Sequence, residues 1–174
     1  MQNSGDSRSP LIMDPVDACR LLINENFSIA GSPLFRRQVI DNMGGYDESL
    51  KASEDYDFHY RMAMKSRIGI LNKVGFYRRM HNSNMSTHTE NILKSKIASR
   101  KKLLAVEKRS ELRKELNCWL QEAHLNLGRY YIGKQYSNAF RCTMKSLRYG
   151  MPLGSYFYKN LIKCLFRLKA DIRV

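Results

Sequence analysis

Short apolar segments separated by polar turns make up the first half of the chain. Residues 16 to 23 are rich in apolar side chains and fit either a short helix or a strand. Residues 67 to 71 and residues 74 to 78 have the composition of two strands, joined by a turn at Asn72 and Lys73. Residues 80 to 86 are rich in turn-forming side chains and predict a loop. This half of the chain therefore predicts an α/β arrangement of a few strands and helices.

A helix start is predicted between those segments, at Ser53. A serine at this position can cap the first turn, and Glu54 and Asp55 follow it where the positive end of the helix dipole favours carboxylates. Phe58 and Met62 lie one helical turn apart, so we expect both on the buried face. Acidic residues in a first turn usually serve capping and solubility, and this interpretation stands beside any functional one.

The second half of the chain predicts helices only. Residues 90 to 116 lack Gly and Pro and carry apolar side chains at an approximate helical period. Residues 117 to 152 predict a helical hairpin that weakly resembles one tetratricopeptide repeat. Residues 156 to 173 predict a basic amphipathic helix, which suits either an anionic membrane surface or a packing role with a solvated basic face.

Charge separates the two halves as well. The 174-residue chain has a formal net charge of +14. Residues 1 to 87 contain 11 Lys and Arg against 10 Asp and Glu, whereas residues 88 to 174 contain 19 against 6. The second half therefore carries +13 of the net charge, and this indicates an anionic partner such as a membrane surface or a polyanionic substrate. Nucleic acid is not favoured, because no nucleic-acid-binding motif accompanies the charge.

Composition excludes some classes of protein. There is no run of about 18 apolar residues, the length that predicts a membrane-spanning helix. Residues 1 to 10 are polar, without the apolar core of a secretory signal, and we expect them to be frayed. The four cysteines are scattered, so they suit reduced and mostly buried thiols in the cytoplasm better than a disulfide or zinc framework.

Three short motifs lie in the first half of the chain. They are Gly-Gly-Tyr-Asp-Glu at residues 44 to 48, Ser-Glu-Asp-Tyr-Asp-Phe at residues 53 to 58, and Arg-Met-His at residues 79 to 81 followed by Asn84 and Ser86. The three together resemble the carboxy-terminal part of a family 2 glycosyltransferase with the GT-A fold. The resemblance covers about residues 20 to 87, half of the chain.

The resemblance implies an inverting transfer of sugar from a nucleotide-sugar donor to a glycan or lipid-linked acceptor, in cell-surface polysaccharide synthesis. Asp55 matches the catalytic base, and Glu54 would orient the acceptor or the base. The residues implied in donor or acceptor binding are Gly44, Gly45, Tyr46, Ser32, Phe35, Arg36 and Arg79. An alternative for the segment around Phe35 is a core phenylalanine flanked by solvated arginines.

The resemblance also implies a divalent metal, Mn²⁺ or Mg²⁺, in the complete enzyme. His81 matches the late histidine that joins this metal in many members, and imidazole suits Mn²⁺ better than Mg²⁺. The alternative for His81 is a loop histidine that is hydrogen-bonded to the backbone. The other three histidines, at positions 59, 88 and 124, match no role and are expected to be structural or exposed.

One departure from the family concerns the donor site. The family's first half is a nucleotide-binding domain with an Asp-x-Asp motif at a strand end, and nothing before residue 20 matches it. Residues 55 to 57 have those letters but follow no apolar strand. We therefore expect residues 1 to 19 to be a polar, partly disordered N-terminus, residues 20 to 87 to be a partial GT-A fold, and residues 88 to 174 to be a basic helical extension.

Two functions follow as hypotheses. The first is the acceptor-side portion of a glycosyltransferase, inactive or nearly so by itself, binding no metal alone and completed by a missing N-terminal half. The second is a non-catalytic basic helical module that binds an anionic membrane surface or a partner protein. Either predicts a cytoplasmic protein that can lie on the inner face of the cell membrane.

Overall fold

A computed structural model describes residues 11–24, 33–50, 52–71, 74, 77, 89–151 and 154–168 of the chain. Helices account for 71% of this part, with only one small antiparallel sheet. The elements are β1 (Leu11–Met13), α1 (Pro15–Asn24), α2 (Arg37–Met43), α3 (Glu54–Lys65), β2 (Ile68–Ile70), α4 (Thr89–Val106), α5 (Ser110–Tyr131), α6 (Tyr136–Ser146), a 3₁₀ turn (Leu147–Tyr149) and α7 (Ser155–Leu165). The mixed and then all-helical order agrees with the sequence at this coarse level.

The sheet consists of β1 and β2, which pair antiparallel with Leu11 opposite Ile70. β2 was predicted and β1 was not. Residues 11 to 19, grouped above with a polar N-terminus, form β1 and the first half of α1. The second predicted strand, at residues 74 to 78, lies mostly outside the described residues, as do the predicted loop at 80 to 86 and residues 1 to 10.

The segment from residue 16, for which helix and strand were both open, is helical. Asp14 caps α1, since its Oδ1 accepts hydrogen bonds from the backbone N–H groups of Val16 and Asp17 at 2.8 and 3.0 Å. Pro15 occupies the first helical position, where its missing N–H costs nothing. The backbone hydrogen bonds, with that of Asp17 the strongest, lower the pKa of Asp14.

Helix α3 begins where the sequence predicted, but by another route. Ser53 has φ 63°, in the left-handed region, and its side chain makes no capping hydrogen bond, so the prediction of a serine cap is wrong. The backbone carbonyl of Ser53 accepts the first helical hydrogen bond from the Asp57 N–H at 3.1 Å. Phe58 and Met62 are both buried, as predicted.

The apolar stretch from 90 to 116 is broken at residues 107–109 although it lacks Gly and Pro. Glu107 is 2% exposed, and its carboxylate accepts hydrogen bonds from the Arg109 backbone N–H at 3.0 Å and from the Arg109 guanidinium at 2.7 and 2.8 Å. Tyr60 donates its hydroxyl to the same carboxylate at 3.0 Å. These contacts hold the chain in the turn that separates α4 from α5.

Helices α5 and α6 form the predicted hairpin, and a glycine allows their close approach. A Cβ at Gly128 of α5 would lie 2.9 Å from Thr143 Oγ1 and 3.2 Å from the Ala139 carbonyl, both on α6. Asn160 of α7 donates its Nδ2 to the carbonyl of Leu125 on α5, at 2.9 Å. The three helices therefore form one packed unit.

Two hydrophobic clusters form the core. The first joins residues from both halves of the sequence: Ala18, Cys19, Leu22, Ile23, Tyr56, Tyr60, Ala63, Leu103, Leu112 and Leu116. The second lies among α4 to α7, with Leu120, Leu127, Ala139 and Cys164 among its members. Leu104 and Trp119 pack against both clusters. The basic helical region thus shares a core with the segment that carries the motifs.

Candidate functional site

The candidate site is built around α3, which contacts the two other described segments that carry predicted site residues. These segments are the turn after α2, at residues 44 to 46, and the residues before α2, at 35 and 36. Gly44 ends α2 with φ 72°, a conformation that L side chains rarely adopt, so glycine is required there. Gly45 does not share this constraint, and an added Cβ at Gly45 would meet no described atom within 4 Å.

Arg61 fastens the glycine turn to α3. Its Nη1 donates to the Met43 carbonyl at 3.2 Å, and its Nη2 donates to the Gly45 carbonyl at 2.9 Å. The third contact is with α3 itself, where Nε donates to the buried carboxylate of Asp57 at 2.8 Å. A buried carboxylate therefore orients the guanidinium, and the guanidinium in turn holds the backbone of the turn.

Aromatic side chains of α3, of the glycine turn and of the segment before α2 contact one another. The Phe58 ring centroid lies 5.0 Å from that of Tyr46 and 5.3 Å from that of Phe35. Phe35 also lies 5.7 Å from the His59 ring. Tyr46 is half exposed, and Arg36 is exposed and begins α2 by offering its carbonyl to Val39 and Ile40. Both interpretations of Phe35 agree with this packing.

Asp55 and Glu54 are half-buried at the start of α3. Asp55 Oδ1 accepts a hydrogen bond from the Tyr56 N–H at 2.7 Å. The charge of Asp55 affects the pKa of two side chains, those of His59 and Lys96. Burial lowers the pKa of His59, and the charge of Asp55 opposes this shift. Burial and the charge of Arg100 lower the pKa of Lys96, and Asp55 opposes that shift as well. The charge of Asp55 therefore favours the protonated forms of a buried imidazole and of a lysine of α4.

The helical region contributes residues to this site that the sequence did not indicate. Lys102 of α4 donates to the Asp47 carboxylate and to the Ser49 hydroxyl, both in the loop after the glycine turn. Hydrogen bonds from Lys102 and from Ser49 hold the pKa of Asp47 at about 2. Because Lys102 is 55 residues from Asp47 in sequence, only the tertiary packing of α4 could reveal the pair.

Arg100 of α4 is the second residue that the helical region contributes, and it contacts α3. It is 3% exposed, and its guanidinium lies between two rings, 3.6 Å from the centroid of Tyr56 and 3.7 Å from that of Trp119. Its Nε and Nη1 have no hydrogen-bond acceptor within the part of the chain that the structure describes. Burial lowers the pKa of Arg100, and the interaction with Tyr56 opposes this shift.

Three predicted site residues, Ser32, Arg79 and His81, lie outside the described residues, as does His88. Among those that are described, no group of three or more His, Cys, Asp and Glu side chains could hold a metal ion. Of the other histidines, His59 and His124 are both buried.

Comparison of the chain with protein-family models, with curated proteins and with solved structures found no match. The resemblance to a glycosyltransferase family therefore has only the sequence motifs behind it. The membrane expectation is addressed only by length and hydropathy: over the described ranges, every helix is too short or too polar to cross a bilayer. Three of the four cysteines are buried, and Cys118 is exposed.

Proposed function

We propose that this chain is the acceptor-side portion of an inverting glycosyltransferase resembling family 2, with a partial GT-A fold. It would transfer a sugar from a nucleotide-sugar donor to a glycan or lipid-linked acceptor in cell-surface polysaccharide synthesis. One observation carries the proposal: the glycine turn and the start of α3, which hold two motifs of the resemblance, are fastened together by Arg61 through the carbonyls of Met43 and Gly45.

Asp55 is the base in this proposal. Its carboxylate takes the proton of the acceptor hydroxyl while that oxygen attacks the anomeric carbon of the donor. The bond from the anomeric carbon to the diphosphate oxygen breaks on the opposite face, and the diphosphate leaves with the electron pair. The flanking aromatic residues Tyr46 and Phe35 would position the sugar rings, since both contact Phe58 next to the start of α3.

A divalent cation bound in the complete enzyme would neutralise the leaving diphosphate. The described residues hold no group of three or more His, Cys, Asp and Glu that could bind it, and His81 would be one of its ligands in this scheme. Arg79 would face phosphate in the same scheme. What this chain's described residues supply is the base, the turn and the acceptor side.

The test is made in the cell that carries this chain, where any missing half is present. We expect Asp55→Asn to abolish or truncate a cell-surface glycan, measured as its sugar composition, with the protein level unchanged. Asp41→Asn is the matched control, because Asp41 is an exposed carboxylate on α2 that pairs with Arg37 outside the site. An unchanged glycan in Asp55→Asn cells, at equal protein level, would refute the assignment of the base.

The rival proposal is a non-catalytic module whose basic helices bind an anionic membrane surface or a partner protein. It is supported by the charge of +13 over residues 88 to 174. In that case deletion of the whole chain would change the cell surface, whereas Asp55→Asn would not. The same pair of strains therefore separates the two proposals.

A further inference from the structure

Helix α7 is apolar on its outer side as well as on its packed side. Phe157, Asn160 and Cys164 are buried against the rest of the chain. Tyr158, Ile162 and Leu165 lie beside that buried stripe, at the spacing of a second helical stripe, and they are 56%, 50% and 65% exposed. Phe166, just after the helix, is 71% exposed. We call these last four residues the outer face of α7.

This exposure is unusual for a surface helix. A helix at the surface of a globular protein normally turns charged or polar side chains to water opposite its buried stripe. The outer face of α7 instead presents two aromatic rings and two aliphatic side chains next to one another. Such contiguous apolar surface indicates a binding surface rather than a solvated one.

Basic residues border this face, and the flanking acidic residues in the sequence are Glu122 and Asp171. Lys159 and Lys163 are four positions apart, on one edge of α7, and Lys159 Nζ lies 5.7 Å from the Tyr156 ring. Residues 123 to 170 contain nine Lys and Arg and no Asp or Glu. A partner with negative charge is therefore favoured by this whole region of the chain.

An apolar stripe edged by lysines, with tyrosines at its borders, has the chemistry of an interfacial membrane helix. Aliphatic side chains enter the boundary between headgroups and acyl chains, and lysines remain among anionic headgroups. The 11 residues of α7 span about 16 Å, against about 30 Å for the hydrocarbon core, so the helix can only lie in the plane of the surface.

We propose that the outer face of α7 docks this chain on an anionic lipid surface. The proposal specifies the binding surface for the rival function above, and it uses none of the residues around Asp55, so its failure and the failure of the base assignment can be told apart. It names the surface by which a chain without a described membrane-crossing helix would reach a lipid-linked acceptor.

Vesicle sedimentation of the full chain tests the proposal. The vesicles are phosphatidylcholine alone, or with roughly one-third phosphatidylserine, at about 0.1 M and about 1 M salt. We expect binding to the anionic vesicles at the lower salt, and binding at least about tenfold weaker to the neutral vesicles or at the higher salt. Equal binding to both kinds of vesicle would contradict an anionic surface, and binding to neither would overturn the proposal.

Matched variants assign the binding to the outer face. Ile162→Gln/Leu165→Gln should weaken binding about tenfold or more, since both side chains would leave the lipid boundary. Val106→Gln is the control, because Val106 is 54% exposed at the end of α4. If the double variant binds as tightly as the wild type, with an unchanged circular dichroism spectrum, the outer face is not the docking surface.

A charge variant and a mass measurement complete the test. Lys159→Gln should weaken binding to anionic vesicles about fivefold, and Lys108→Gln, an exposed lysine between α4 and α5, should not. Sedimentation velocity without lipid tests whether a second copy of the chain binds the outer face of α7. A concentration-dependent dimer that disappears in Ile162→Gln/Leu165→Gln would show that a second copy of the chain covers this face, and would overturn the proposal.

Discussion

Glu107 should determine much of the acid sensitivity of this chain. Its carboxylate is almost fully buried and receives hydrogen bonds from Tyr60, from the Arg109 backbone and from the Arg109 guanidinium. Burial by itself would raise the pKa of Glu107, but the hydrogen bonds from Arg109 and from Tyr60 outweigh it and hold the pKa at about 2. The ionised form is therefore strongly favoured in the folded chain.

The free energy follows from linkage. A glutamate with a folded pKa of about 2 and an ordinary value of 4.5 contributes about 3 kcal/mol at pH 7, at 1.36 kcal/mol per pKa unit. Because the folded pKa is depressed, this stabilisation is complete above about pH 4.5 and is lost as the pH falls towards 2. At pH 3 the same relation leaves about 1 kcal/mol.

Glu107→Gln removes the charge while keeping the shape, and urea unfolding followed by circular dichroism measures the result. We expect a loss of about 3 kcal/mol at pH 7 that shrinks to about 1 kcal/mol at pH 3. Glu122→Gln is the control, because Glu122 is exposed on α5, and it should change the free energy of unfolding by less than about 0.5 kcal/mol. A loss that is the same at both pH values would show that the carboxylate charge is not what stabilises the turn.

Two further predictions concern the helical hairpin and its buried histidine. Gly128→Ala should lower the free energy of unfolding by about 1–3 kcal/mol, because the new methyl group would press on Thr143 and on a backbone carbonyl. The control Gly154→Ala adds a methyl group in open space and should be nearly neutral. Equal effects of the two substitutions in thermal unfolding would contradict the close packing of α5 and α6. Burial lowers the pKa of His124 to about 4, with help from Lys101, so its ring protons in an NMR titration should shift with a midpoint well below 6, and the stability that depends on a neutral ring should fall as the pH drops from about 6.5 to 4. A midpoint near 6.5 would mean that the ring is not buried as described.

Elements whose cause is local could be predicted from the sequence. The position and buried face of α3 follow from its acidic first turn and from the spacing of Phe58 and Met62. The hairpin of α5 and α6 was likewise visible in the apolar pattern. The start of α3 was predicted for the wrong reason, because the left-handed φ of Ser53 prevents the cap and depends on how the preceding loop is held.

Elements whose cause is tertiary could not be predicted. The break after α4 depends on the contact of Glu107 with Tyr60, 47 residues earlier in the chain. The contact between Lys102 and Asp47 likewise joins residues that are 55 positions apart in the sequence. For the candidate site, the motifs indicated the glycine turn and the start of α3, while Lys102 of α4, which contacts the loop after the turn, carried no local signal.

The shared first cluster limits how this chain can be divided. A fragment that stopped at residue 87 would keep the motifs but lose Leu103, Leu112 and Leu116, and so would open the packing around Cys19 and Tyr60. It would also lose the lysine that holds the loop at Asp47. The basic helices therefore complete the core beneath the motifs, and replacing them with other helices would require new packing partners for Cys19 and Tyr60.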